Sequence, residues 1–161
     1  MFYYVSLVCL GILSTTVSAT DCPSLWTVFQ DSCYLFGHQH LSFVEAEHFC
    51  RQHNGNLVRI ESAIENDFLI DHVNFMKETS WWIGLTDDDL EGHWVWYGTD
   101  TPSTFTGWLP GQPNNYEGKE DCAELWLYNG KWSWNDHQCD THKITPICEI
   151  NTNKELPAVV G

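Results

Sequence analysis

The chain reads as a single α+β domain, with two helices placed ahead of a series of short strands. Three observations carry that reading. Ser42-Phe43-Val44-Glu45 and Ser62-Ala63-Ile64-Glu65 both have the Ser-x-x-Glu form of a helix start, and apolar residues follow each at helical spacing. Beyond Ser80 the spacing changes to short aromatic and β-branched runs divided by turn residues. Cys22, Cys33, Cys50, Cys122, Cys139 and Cys148 form an even set suited to a disulfide framework.

Taken in order, residues 26–29 and 32–36 are strand-like runs around Gln30-Asp31, near enough to Cys22 and Cys33 to be stapled as a small hairpin. The first helix carries its apolar stripe on Phe43, Ala46, Phe49 and Cys50, and Asn54-Gly55 supplies a residue able to take the left-handed conformation that ends it. Residues 57–60 read as a strand. The second helix is expected to bury Ile64, Phe68, Leu69, Val73 and Met76. Residues 81–85 and 94–97 are strands around an acidic turn, Asp87-Asp88-Asp89-Leu90-Glu91-Gly92. Residues 99–120 are rich in Thr, Pro, Gly and Asn with little periodicity, and a loop that long in a compact domain is functional or disordered. Residues 123–128 and 131–134 flank Asn129-Gly130, a type I′ hairpin signal. Residues 146–150 give a last strand and 151–161 a solvated tail.

Residues 1–19 contain no Lys, Arg, Asp or Glu and end on Val17-Ser18-Ala19, the small-x-small form of a signal-peptidase site. Their apolar run falls short of the ~20 residues needed to span a bilayer. A signal peptide over 1–19, a domain over 20–150 and a secreted, extracellular product are therefore expected, with Cys9 leaving in the leader. An oxidising compartment favours disulfides over a metal-thiolate site, and no Cys-x-x-Cys pair is present. The sequence alone leaves the pairing open. A net charge of −15 argues against nucleic acid or an anionic membrane as partner, and nine Trp suit a compact aromatic core. There is no His-Glu-x-x-His, no Gly-x-Ser-x-Gly and no phosphate-cradling glycine loop, so an enzyme is not expected, and His38 and His40 read as surface histidines.

Residues 112–122, Gln-Pro-Asn-Asn-Tyr-Glu-Gly-Lys-Glu-Asp-Cys, gather amides and carboxylates around one proline and end on a cysteine that can anchor them. Such oxygens are what Ca²⁺ takes, about six to eight at a time. The same residue types also build ordinary surface turns. Trp134-Asn135-Asp136 supplies a second amide and carboxylate, which points to a metal site built from two segments.

Trp82-Ile83-Gly84-Leu85, Glu91-Gly92-His93-Trp94-Val95-Trp96, Gln112-Pro113-Asn114 and Trp134-Asn135-Asp136, in that order among the cysteines, resemble the C-type lectin domain over residues 22–150. The resemblance implies a C-type lectin fold: two helices on a mixed, largely antiparallel sheet with a long Ca²⁺-binding loop. It pairs Cys22 with Cys33, Cys50 with Cys148 and Cys122 with Cys139. Closing the long loop at Cys50 would stabilise the fold by roughly 4–5 kcal/mol in the chain-entropy picture. The resemblance also implies a sugar-site Ca²⁺ held by Gln112, Asn114, Glu120, Asn135 and Asp136, with Gln112-Pro113 cis. A second Ca²⁺ would fall on Asp87, Glu91, Asn115, Glu120 and Asp121, weakened because Asn115 stands where the family often has Asp.

In the resembling family Glu-Pro-Asn accompanies mannose-type sugars and Gln-Pro-Asp accompanies galactose, since exchanging amide and carboxylate reverses donor and acceptor. Gln112-Pro113-Asn114 is neither. Tyr116 sits where galactose-binding members often place a Trp that stacks on the sugar, with Trp108 as a second platform. Galactose or N-acetylgalactosamine is thus favoured, and mannose or mixed recognition is the alternative. The implied sugar-binding residues are Gln112, Asn114, Tyr116, Glu120, Asn135 and Asp136. The implied partners are glycans on microbial or cell surfaces, as in innate immune recognition, with no nucleic acid and no membrane insertion. One shallow site of this kind binds in the millimolar range, ~−4 kcal/mol, so avidity needs several copies. With no heptad stalk and no leftover mature cysteine, a homo-oligomer would be non-covalent and use the domain's own surface. The rival reading is the same fold binding protein or mineral, against which the retained ligand residues argue.

Overall fold

The structure, a computed structural model, describes residues 22–141 and 143–152, so the expected leader and all of the expected tail past Thr152 lie outside the described residues. The elements run β1 (Thr27–Phe29), β2 (Ser32–Phe36), α1 (Phe43–Gln52), β3 (Asn56–Leu57), α2 (Ala63–Val73), β4 (Ser80–Thr86), β5 (Val95–Trp96), a 3₁₀ turn (Tyr116–Gly118), β6 (Cys122–Tyr128), β7 (Lys131–His137) and β8 (Thr145–Asn151). The strand order is β1-β2-β8-β4-β6-β7, with β3 added to β8 and β5 to β4. Only the β4–β8 pairing is parallel, so the sheet is mixed and largely antiparallel as expected. Among the described residues no helix is long and apolar enough to cross a membrane.

Strand β4 divides the core. Successive side chains of a strand leave opposite faces, and Trp81, Ile83 and Leu85 enter one cluster with Leu69 and Val73 of α2. Trp82 enters the other with Phe43, Ala46 and Cys50 of α1. Both tryptophans are fully buried. Two residues past Trp82, Gly84 allows a close approach: a Cβ there would meet the Leu57 carbonyl at 2.8 Å. The disulfides join Cys22–Cys33, Cys50–Cys148 and Cys122–Cys139. The second of these ties α1 to β8 across the smaller cluster, and the third ties the start of β6 to the segment after β7.

Some sequence expectations change in detail. The first capping box forms, with Glu45 N–H donating to Ser42 Oγ and Ser42 N–H to Glu45 Oε2. The second forms only halfway. Ser62 Oγ accepts from Glu65 N–H at 3.2 Å, but the Glu65 carboxylate turns to the Glu61 N–H and the Tyr34 hydroxyl. Ile64, expected in the buried stripe, is 64 % exposed, because the stripe that α2 buries runs through Glu65, Leu69 and Val73, four residues apart, and Ile64 lies off it. Residues 57–60 stay extended and buried but form a ladder only at Asn56 and Leu57. Val58 divides its backbone bonds, donating to Ile147 O and accepting from Gly84 N–H. Asn54, at φ 63°, takes the left-handed conformation after α1, and the adjacent Gly55 leaves room for the Glu149 carbonyl and Trp26.

Glu65 is buried, and burial lifts its carboxyl from the ordinary 4.5 to about 7 against the two hydrogen bonds it accepts. A folded value above the unfolded one means that the folded state holds the proton more tightly. The contribution of Glu65 to stability is therefore full below about pH 4.5 and lost as pH rises through about 7. Urea denaturation at pH 5 and pH 8 should show a smaller loss of stability on going to pH 8 for Glu65→Gln than for the wild type; an unchanged difference would refute this assignment.

Candidate functional site

The hairpin of β6 and β7 sets the floor of the site. Asn129 and Gly130 both have positive φ, as a two-residue type I′ turn requires. That turn fixes the register, so Glu124 lies opposite Asn135 and Ala123 opposite Asp136. Glu124 and Asn135 are joined by Asn135 Nδ2 donating to Glu124 Oε1 at 2.9 Å. Glu124 also accepts from the Ser80 hydroxyl of β4, and burial pushes its carboxyl upward.

The long loop is laid over β7 and fastened at two points. Trp134 N–H donates to Gly107 O at 2.7 Å, and Leu109 N–H donates to Trp134 O at 2.9 Å. Gly107 is required there, since a Cβ would meet the Trp134 indole at 2.9 Å. Two residues on, the fully buried Asp136 takes both Asn114 N–H, at 2.8 Å, and Asn115 N–H, at 2.6 Å, on its Oδ2. The intervening Gln112-Pro113 peptide is cis, and Asn115 has φ 43°. Gln112 Nε2 then donates to Asn135 Oδ1 at 2.5 Å, and Glu120 Oε2 accepts from Tyr116 N–H at 3.1 Å. Burial raises the Glu120 carboxyl as well.

These contacts shape a shallow cavity of about 340 Å³ whose walls include Gln112, Asn114, Tyr116, Glu120 and Asn135. Tyr116 stands at its rim, 63 % exposed. Asp136 lies behind, holding the loop. Of the buried side-chain atoms without a partner among the described residues, two are indole N–H groups, of Trp81 and Trp94, and three are acceptor oxygens: Gln112 Oε1, Asp136 Oδ1 and Asp87 Oδ1. All three oxygens belong to residues assigned from the sequence to Ca²⁺. A buried acceptor left unmatched costs about 1–3 kcal/mol, and oxygens of this kind are ones a hard cation takes. The donor set present therefore fits Ca²⁺, although no three His, Cys, Asp or Glu side chains converge among the described residues, because three of the five candidate ligand residues, Gln112, Asn114 and Asn135, are amides.

The second predicted ligand set is brought together only in part. Asn115 Nδ2 donates to Glu91, and Asn115 Oδ1 accepts from Glu120 N–H at 3.0 Å, so its side chain bridges the acidic turn and the long loop. Asp87 Oδ2 accepts from Gly92 N–H at 2.7 Å, and burial, with Glu91 and Asp121 nearby, pushes the Asp87 carboxyl up to about 6. Asp121 contributes its carbonyl, accepting from Asp87 N–H and the Thr86 hydroxyl, while its side chain lines a separate cavity with Asp88 and Asp140.

The family model for the Lectin C-type domain matches residues 39–150. This chain belongs to that family. The domain is 36 % identical over 147 residues to the low affinity immunoglobulin epsilon Fc receptor of Mus musculus, covering 91 % of this chain and 42 % of the receptor. It is 37 % identical over 133 residues to the hepatic lectin of Gallus gallus, covering 82 % of this chain and 59 % of that protein. The chain thus spans about two fifths to three fifths of the length of these relatives. Among solved structures, the mouse scavenger receptor C-type lectin carbohydrate-recognition domain superposes with a TM-score of 0.71 at 39 % identity, over 81 % of this chain and 96 % of that one. The Ca²⁺-independent C-type lectin SPL-2 from Saxidomus purpuratus gives a TM-score of 0.74 at 34 % identity, over 84 % of this chain and 98 % of that one.

Two aspects of this C-type lectin domain differ from the sequence reading. Trp108, expected as a sugar platform, is half-buried instead, meeting Trp94 at 4.8 Å and Trp134 at 5.7 Å, where it anchors the loop to the core. Glu124, which shares the cavity with Ser80, Trp126 and His137, has no role in the sequence reading. The signal was nevertheless present, because a two-residue Asn-Gly turn places Glu124 opposite Asn135 by counting back along both strands. Asp136→Ala should lower stability by roughly 1.5–3 kcal/mol, as one carboxylate's bonds are lost, and should raise hydrogen exchange at Asn114 and Asn115 above that at Leu125. Unchanged exchange at those two amides would show that the loop is held otherwise.

Proposed function

We propose that this domain is a Ca²⁺-dependent lectin that binds terminal sugars of glycans. Gln112, Asn114, Glu120, Asn135 and Asp136 would hold the ion, and the observation that carries the reading is the pair of buried, unmatched oxygens on Gln112 and Asp136. When bound, the ion supplies a centre to which two vicinal sugar hydroxyls coordinate. The side chains do the selecting. Asn114 and Gln112 carry amide N–H donors, Glu120 carries an acceptor, and Tyr116 offers an uncovered ring at the rim. That ring supports galactose or N-acetylgalactosamine, whose apolar face stacks on an aromatic, over mannose.

The rest of the proposal follows from the same chemistry. Three disulfides suit an oxidising, extracellular compartment and support secretion. The glycans would be microbial or cell-surface ones, and the role is recognition, with no catalysis. A second, weaker Ca²⁺ would use the side chains of Asp87, Glu91, Asn115, Glu120 and Asp121; Asn115 brings an amide where a carboxylate would bring charge. Multivalency would come from a non-covalent homo-oligomer.

A specific observation favours a second reading, sugar binding without the ion. Asn135 Oδ1 already accepts from Gln112 Nε2, and a cation would have to compete with that N–H.

A glycan array probed with the mature protein, with Ca²⁺ and with excess chelator, separates the readings. Chelator-sensitive binding to galactose-terminated glycans is expected, with Tyr116→Ala weakening it roughly 3- to 10-fold. Binding that persists in chelator would favour the ion-independent reading. No binding by the folded protein in either condition would refute both and turn attention to a protein or mineral ligand.

A further inference from the structure

The cavity does not stop at the candidate ion ligands, since its wall continues past Glu124 to Trp126 on β6. Trp126 lies two residues from Glu124 on the same face of the strand, roughly 7 Å further along. Of the nine tryptophans in the chain, Trp126 alone belongs to neither core cluster. Its cross-strand neighbours are Ser80 on β4 and Ser133 on β7, both too small to cover an indole. Trp126 is half-buried, and Tyr128, next on this face, packs beside it at 4.7 Å with the rings 31° apart and is exposed.

The polar groups around the ring are arranged to receive hydroxyls. Glu124 is buried and accepts the Ser80 proton, so the Ser80 oxygen keeps its lone pairs for an outside donor. An aromatic face beside a hydroxyl acceptor is the combination that binds a sugar ring, whose one face is apolar and whose edge carries O–H groups.

The geometry points to a second sugar subsite on Trp126, where the residue next to the terminal sugar stacks on the indole and donates a hydroxyl hydrogen bond to Ser80. This deepens the lectin reading and rests on it. The substrate class becomes a disaccharide or longer glycan, and Trp126 becomes a specificity-determining residue. A merely structural role for the Trp126–Tyr128 pair would change stability without separating the two ligand classes.

Calorimetry on the mature protein in Ca²⁺ tests the inference, comparing methyl β-galactoside with lactose and N-acetyllactosamine, and methyl α-mannoside with a panel of mannobioses. At least one disaccharide is expected to bind roughly 3- to 10-fold more tightly than the methyl glycoside of its terminal sugar. Trp126→Ala should abolish that gain and leave the methyl glycoside affinity unchanged. Trp126→Phe, which keeps a ring in the hairpin, should retain part of the gain and serves if the alanine variant does not fold. Equal affinities in the wild type, a gain that survives in the folded variants, or a folded variant that loses both ligands equally would each overturn the subsite. Absence of binding by every probe would overturn the ion-site reading first and this one with it, so the two failures are distinct.

Discussion

The Asp136 carboxylate is the constraint on which the site depends. One of its oxygens takes two consecutive backbone N–H groups from the long loop, which fixes where Asn114 and Asn115 lie. Its other oxygen is buried with no donor. A group so placed does two things at once: it holds an otherwise irregular segment against a rigid hairpin, and it offers a desolvated negative oxygen to whatever fills the remaining space. Upstream, the loop is fastened again at Trp134, through Gly107 and Leu109. Gly107 lets the chain pass over the Trp134 indole, and Trp108 packs into the core to brace it.

Beneath the loop, the scaffold is built to keep the hairpin still. Strand β4 carries adjacent tryptophans into two separate clusters, so each helix is pinned to a different face of the same sheet. The Cys50–Cys148 bridge closes one cluster and the Cys122–Cys139 bridge lies beside the mouth of the hairpin. A domain whose chain is largely irregular between β5 and β6 can thus present that loop from a stiff base of strands, aromatic rings and disulfides.

Much of this was legible in the sequence. Local signals carry the Ser42 box and the Asn129-Gly130 turn, both of which form, and the amide and carboxylate runs at 112–122 and 134–136 lie against one another across the loop and β7. What failed were features that depend on distant partners. Glu65 fits a helix start as a string of letters, but Tyr34 and the Glu61 amide claim its carboxylate, and Ile64 points to solvent because α2 turns its Glu65, Leu69 and Val73 face inward. Trp108 and Trp126 cannot be told apart by composition. Only the topology, which puts Ser80 and Ser133 beside one and Trp94 and Trp134 beside the other, assigns one ring to a cavity wall and the other to the core.

The central claim, that the unmatched oxygens of Gln112 and Asp136 belong to a cation site, is tested most directly by a Ca²⁺ titration of the isotopically labelled protein followed by NMR. The account predicts saturable shifts concentrated at the side-chain amides of Gln112, Asn114 and Asn135 and at the backbone amides of Asn114 and Asn115. Shifts confined to the acidic turn around Asp87, or no saturable change anywhere in the hairpin and loop, would contradict it.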